Sequence, residues 1–79
     1  MQNLYATSDL AIGAYAALFF PVEAIDRSDP RRVQFCFLRS EELDRALEEY
    51  WNGVARVPPR AYFASVRDLK HRLYDQPCN

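Results

Sequence analysis

The sequence predicts an α+β domain in which a small antiparallel sheet is packed with three helices. Three observations carry this expectation. Residues 10–20 hold no charged or strongly polar side chain and stop at Pro21. Residues 32–38 alternate with period two, and residues 43–51 carry apolar positions at helical spacing behind a serine cap.

Residues 3–7 read as an additional strand, with Leu4 and Tyr5 favouring extended backbone. Thr7, Ser8 and Asp9 then offer capping oxygens and a negative charge, which places a first helix over residues 8–20. That run is far shorter than the roughly 20 apolar residues a membrane span requires, so a buried element is expected and no membrane association. A helix apolar all round needs cover on every side. Either the sheet and the other helices enclose it, or a second copy of the chain covers Ile12, Tyr15 and Phe19, with Gly13, Ala14, Ala16 and Ala17 allowing close backbone approach.

A hairpin is predicted over residues 21–38. Its arms are Val22 to Ile25 and Arg32 to Leu38, and its turn is the cluster Asp26-Arg27-Ser28-Asp29-Pro30. Val33, Phe35 and Phe37 fall on one face and are assigned to the core; Gln34, Cys36 and Leu38 fall on the other. The second helix is placed over residues 40–52, capped by Ser40 with Glu41 and Glu42 in its first turn, and stopped by Asn52-Gly53 with Val54 as the accompanying apolar contact. Its buried stripe is Leu43, Ala46, Leu47, Tyr50 and Trp51. Val57-Pro58-Pro59 is a stiff connector into a third helix over residues 59–74, with Tyr62, Phe63, Val66, Leu69 and Leu73 assigned to its inner face.

With 79 residues the chain is expected to be one domain, with residues 75–79 as a short flexible tail. At 49% hydrophobic and 14% aromatic it lies outside the range of intrinsic disorder. A core this small commonly draws on disulfides, a metal or self-association. Cys36 and Cys78 make no disulfide framework, and the amino terminus lacks the basic region of a secretory signal, so a reducing cytoplasmic setting is expected. Cys36 reads as a small buried hydrophobe and Cys78 as incidental. One histidine and no paired Cys/His spacing argue against zinc, which leaves self-association.

Charge is unevenly placed. Residues 40–52 carry −4, from Glu41, Glu42, Asp44, Glu48 and Glu49 against Arg45. Residues 53–74 carry +4, from Arg56, Arg60, Arg67, Lys70 and Arg72 against Asp68. The chain's net charge of −1 conceals this polarity. Two readings follow. The third helix pairs with the second, or its basic side joins Arg27, Arg31, Arg32 and Arg39 of the hairpin to meet phosphates. In the second reading Tyr62, Phe63 and Tyr74 still go to the core rather than to bases. Arg56 and Arg60, flanking the rigid connector beside Trp51, form an additional candidate grip for an anionic partner, the alternative being ion pairs with Glu48 and Glu49.

Catalysis is not expected. His71 is the lone histidine, Ser40 is accounted for as a cap, and the adjacent pairs Glu41-Glu42 and Glu48-Glu49 point in different directions on a helix. Only two glycines exist and neither begins a phosphate loop, so no cofactor and no metal are expected.

The segments Tyr5-Ala6-Thr7-Ser8-Asp9-Leu10, Tyr50-Trp51-Asn52-Gly53, Pro59-Arg60-Ala61-Tyr62-Phe63 and Leu69-Lys70-His71-Arg72-Leu73-Tyr74 together resemble an uncharacterised family of short bacterial proteins known as a domain of unknown function. The resemblance covers most of the chain. It implies a stand-alone domain and assigns no activity, cofactor or catalytic residue. The function expected is that of a non-enzymatic interaction or regulatory protein, self-associating and binding a macromolecular partner. The alternative is a nucleic-acid-binding accessory. The residues expected to bind are Trp51, Arg56, Arg60, Arg67, Lys70, Arg72, Arg31 and Arg32, with Ile12, Tyr15 and Phe19 as the contact between copies.

Overall fold

A computed structural model describes residues 3–74; the tail assigned to residues 75–79, with Cys78, lies outside the described residues. The order of elements is β1 (Leu4–Thr7), α1 (Leu10–Ala17), β2 (Ala24–Asp26), β3 (Gln34–Leu38), α2 (Glu41–Trp51) and α3 (Pro59–Tyr74). The fold is α+β, as the sequence predicts, and β3 is the central strand with β1 and β2 antiparallel on either side.

The aromatic face of β3 makes the core. Phe35 and Phe37 are fully buried among Ile12, Ala14, Leu43, Leu47 and Leu69. Val33 lies before the strand and is only half-buried. The opposite face of the sheet is uncovered at its margin, where Leu4 faces its cross-strand partner Leu38 and both are exposed. Cys36, on the central strand between its cross-strand partners Ala6 and Ala24, is nonetheless buried on that face. Its thiol is free.

α1 is shorter than the predicted 8–20. Asp9 is its cap, accepting from the Ala11 N–H at 2.9 Å, while Thr7 Oγ1 accepts from the Asp9 N–H at 3.1 Å. Its last turn tightens before Pro21 acts, with the Leu18 N–H bonded to the Tyr15 carbonyl and those of Phe19 and Phe20 to the Ala16 carbonyl. α1 packs against both α2 and α3, most extensively α3. Gly13 permits that approach: a Cβ there would lie 3.3 Å from Leu69 Cδ1 and 3.5 Å from the Phe35 ring. Two bonds pin the seam, from Tyr62 Oη to the Ala11 carbonyl at 3.2 Å and from Ser65 Oγ to the Ala14 carbonyl at 2.8 Å.

The apolar helix therefore finds most of its cover within the chain. Ile12 and Tyr15, assigned to a contact between copies, are buried in the monomer, and of the three residues only Phe19 is exposed.

α2 begins at the Ser40 cap, whose Oγ accepts from the Leu43 N–H at 3.0 Å. It ends where Gly53, at φ 74°, donates to the Tyr50 carbonyl and Val54 donates to the Glu49 carbonyl, the paired bonds of a left-handed glycine cap. Val54 adds no buried contact to that cap, being exposed. Leu43 and Leu47 are buried, but Trp51 leaves the stripe. At 100° per residue it stands about 80° from Leu43, at the edge of the buried arc.

Candidate functional site

The same rotation separates Phe63 from the inner face of α3. Tyr62, Val66, Leu69 and Leu73 face the core, whereas Phe63 is turned outward and is 65% exposed. Arg60, Phe63, Arg67, Lys70 and Tyr74 follow one another at intervals of three or four residues. At 100° per step they occupy an arc of about 80° on the outer surface of α3. All five are exposed, Tyr74 at 75%. From Arg60 to Tyr74 the stripe is about 21 Å long at 1.5 Å per residue.

Three adjoining hollows run along it. Arg60, Phe63, Ala64 and Arg67 line the first, of 450 Å³; Arg67, Lys70, His71 and Tyr74 the second, of 620 Å³. The third, of 500 Å³, passes from Leu73 and Tyr74 to Pro30, Arg31 and Arg32 of the loop before β3. Arg67 joins the first to the second and Tyr74 the second to the third. No carboxylate of the described residues lines any of them. Two other hollows are acidic: Glu41, Asp44 and Glu48 line one of 680 Å³ with Trp51 and Tyr5, and Glu42 and Glu49 line another with Tyr15, Phe19 and Phe20.

The loop holding Arg31 and Arg32 is shaped by its own polar side chains. Asp26 Oδ1 accepts from the Ser28 N–H and hydroxyl at 2.9 and 2.7 Å, bonds that hold its carboxyl below the usual aspartate range. Asp29 Oδ1 accepts from the Arg31 N–H at 3.0 Å, and the Arg32 N–H closes a turn onto the Asp29 carbonyl at 2.9 Å. Arg27 ties this loop to α3, donating to the main-chain carbonyls of Arg72 and Leu73.

Of the eight residues assigned to binding, five are brought to one surface: Arg60, Arg67, Lys70, Arg31 and Arg32. Arg72 stands on the flank of α3, with its Nε 3.6 Å from Asp68. Trp51, 66% exposed, lines the α2 hollow, whereas Arg60 lines the α3 stripe, so no hollow unites them. Arg56 is exposed in the connector and lines none of these hollows. Arg39, assigned to the hairpin's phosphate contacts, is committed elsewhere: its Nε is 3.3 Å from Asp44 and its guanidinium lies 5.7 Å from the Tyr5 ring centroid.

The pairing of α2 with α3, one of the two readings of the charge pattern, is absent among the described residues, where the ion pairs are Arg39–Asp44 and Arg72–Asp68. Both packing on α1, the two helices keep their outer charges facing water on separate parts of the surface. Phe63, His71 and Tyr74 were not among the expected site residues. Their signal was the spacing 60, 63, 67, 70/71, 74, a second helical stripe beside the core stripe.

No group of three or more His, Cys, Asp or Glu side chains suited to a metal occurs among the described residues, and none of the described helices is long and apolar enough to cross a membrane. The chain belongs to the family described as a domain of unknown function (DUF5659), whose family model matches residues 2–75. No curated protein and no solved structure matches it.

Proposed function

We propose that this chain is a non-enzymatic binding domain that docks onto nucleic acid through the outer face of α3 and the adjoining Arg31-Arg32 loop. The observation that carries this reading is the continuous surface bearing Arg60, Arg67, Lys70, Arg31 and Arg32, whose hollows are lined by no carboxylate of the described residues. Cations that outnumber the described carboxylates along one surface favour a polyanion, because each phosphate they meet releases condensed counterions. The acidic groups of α2 repel the same ligand and orient the molecule on it. The buried free thiol of Cys36 suits a reducing compartment, here the cytoplasm.

The test is affinity for a mixed oligonucleotide pool across a salt series. Tight binding at low salt, falling steeply as salt rises, supports the reading. No binding at low salt overturns it.

A protein-binding reading is favoured by a separate observation. Trp51 stands exposed over the hollow shared with Tyr5, and large exposed aromatics are enriched at protein interfaces. The partner in this reading is another protein or a second copy of the chain, with Phe19 as a further contact. Light scattering on the chain alone and on Trp51→Ala tests self-association: a dimer that the substitution dissolves supports it, and a monomer at every concentration excludes the second copy.

A further inference from the structure

We infer that the α3 face takes nucleic acid as a single strand, with bases stacked on Phe63 and Tyr74 and phosphates on Arg67 and Lys70 between them. This rests on the nucleic-acid reading above and specifies the form of its ligand.

Electrostatics alone explains the cations but not the aromatics. A phenyl ring offers nothing to a phosphate, and a duplex keeps the faces of its bases stacked on one another. A single strand presents those faces, and stacking them on aromatic side chains adds affinity whatever the base. Phe63 and Tyr74 are among the most exposed large apolar side chains of the described residues, and both line hollows of the basic surface. Phe63 is steadied from one side by Tyr62, with ring centroids 6.3 Å apart, which leaves its outer face available. The spacing also fits. Phe63 and Tyr74 are about 16 Å apart along the helix axis. That is the length of about five nucleotides at the 3.4 Å rise of a stacked strand, and of fewer in an extended one. Arg67 and Lys70 fall within that interval on the same face, where the backbone of such a strand would pass.

The experiment is fluorescence anisotropy with a labelled oligothymidylate, an oligouridylate of the same length and a mixed-sequence duplex of the same length, at low salt. Both single strands are expected to bind about tenfold tighter than the duplex. Phe63→Ala and Tyr74→Ala are each expected to lose about tenfold on single strands and little on duplex, while Phe63→Trp retains affinity. Both side chains are exposed, so circular dichroism melting should show the variants folded. Equal affinity of oligothymidylate and oligouridylate is expected of stacking; a preference for one identifies DNA or RNA as the source of the strand. Duplex binding as tight as single-strand binding, or alanine variants that bind single strands unchanged, overturns the inference and leaves the nucleic-acid reading standing. Absence of binding to all three probes removes both.

Discussion

The guanidinium of Arg27 closes the carboxyl end of α3: its Nη1 lies 3.3 Å from the main-chain oxygen of Leu73, and its Nη2 donates to the carbonyl of Arg72. The last carbonyls of a helix have no partner within it and carry the negative end of its dipole, so a cation donating there is doubly favourable. Arg27→Met is expected to cost about 1–2 kcal/mol. Thermal melts at low and high salt check this, because the electrostatic part of the loss shrinks with screening. The same bonds hold the Arg31-Arg32 loop beside Tyr74, so the variant should also weaken oligonucleotide binding.

Ser65 has a more demanding task than Tyr62, although each bonds a carbonyl of α1. The Leu18 N–H, which would reach Ala14 in a continuing helix, is bonded to the Tyr15 carbonyl instead. That leaves the carbonyl of the fully buried Ala14 to Ser65 Oγ. Ser65→Ala should therefore leave a buried acceptor unsatisfied and cost about 1–3 kcal/mol. Tyr62→Phe removes a bond to the Ala11 carbonyl, which lies inside the helix, and should cost about 0.5–1.5 kcal/mol. Urea denaturation of the two variants ranks them, and the reverse order would refute this account.

The elements were legible where local chemistry decides them. Ser40, Gly53 and Pro59 mark helix ends through capping, left-handed backbone and a missing N–H, each readable from one residue. The early end of α1 was not legible, because the tightened turn at residues 18–20 sits in an apolar run with no distinguishing side chain. Trp51 and Phe63 were assigned to buried stripes because apolar residues adjoin those stripes, yet each helix buries only a limited arc. The site followed suit: its cations were legible as a basic helix, but its aromatics were credited to the core. Whether α2 met α3 depended on α1 packing against both, a tertiary arrangement that periodicity does not encode.

Gly53 isolates a backbone effect. Its φ of 74° is disfavoured for residues with a Cβ, while an added Cβ would meet nothing within 4 Å. Gly53→Ala should therefore destabilise by about 1 kcal/mol through conformation alone. Gly53→Asn should recover part of that loss, since asparagine tolerates the left-handed region. Chemical denaturation of the pair is the check; equal losses would point to a cause other than φ.

Tyr15 and Tyr50 predict an alkaline limit to stability. Their ring centroids are 5.3 Å apart. Burial raises both above the ordinary tyrosine value, helped by the charge of Glu49 for Tyr15 and by Tyr62 and Asp9 for Tyr50. Because the folded state holds these protons more tightly than the unfolded state, their contribution is fully present below about pH 10 and is lost as pH rises beyond it. The melting temperature should fall above that pH. Tyr15→Phe should flatten the fall, and an unchanged fall would assign it to other groups.

Arg67 and Arg72 provide the sharpest contrast within α3. Arg67 joins two of the three hollows of the basic surface, whereas Arg72 stands on the flank with Asp68 3.6 Å away. A residue that meets a phosphate contributes close to one counterion to the salt dependence, so Arg67→Ala should lower the slope of log K against log salt by about 1. Arg72→Ala should change the slope little, because that cation already has an anion beside it and faces away from the stripe. Arg56→Ala should likewise leave binding intact, since Arg56 lines none of the three hollows. Salt titrations of the three variants measure this directly. Equal slope changes in all three would mean that cations anywhere on residues 53–74 serve alike, and that the arrangement along α3 does not decide where the ligand sits.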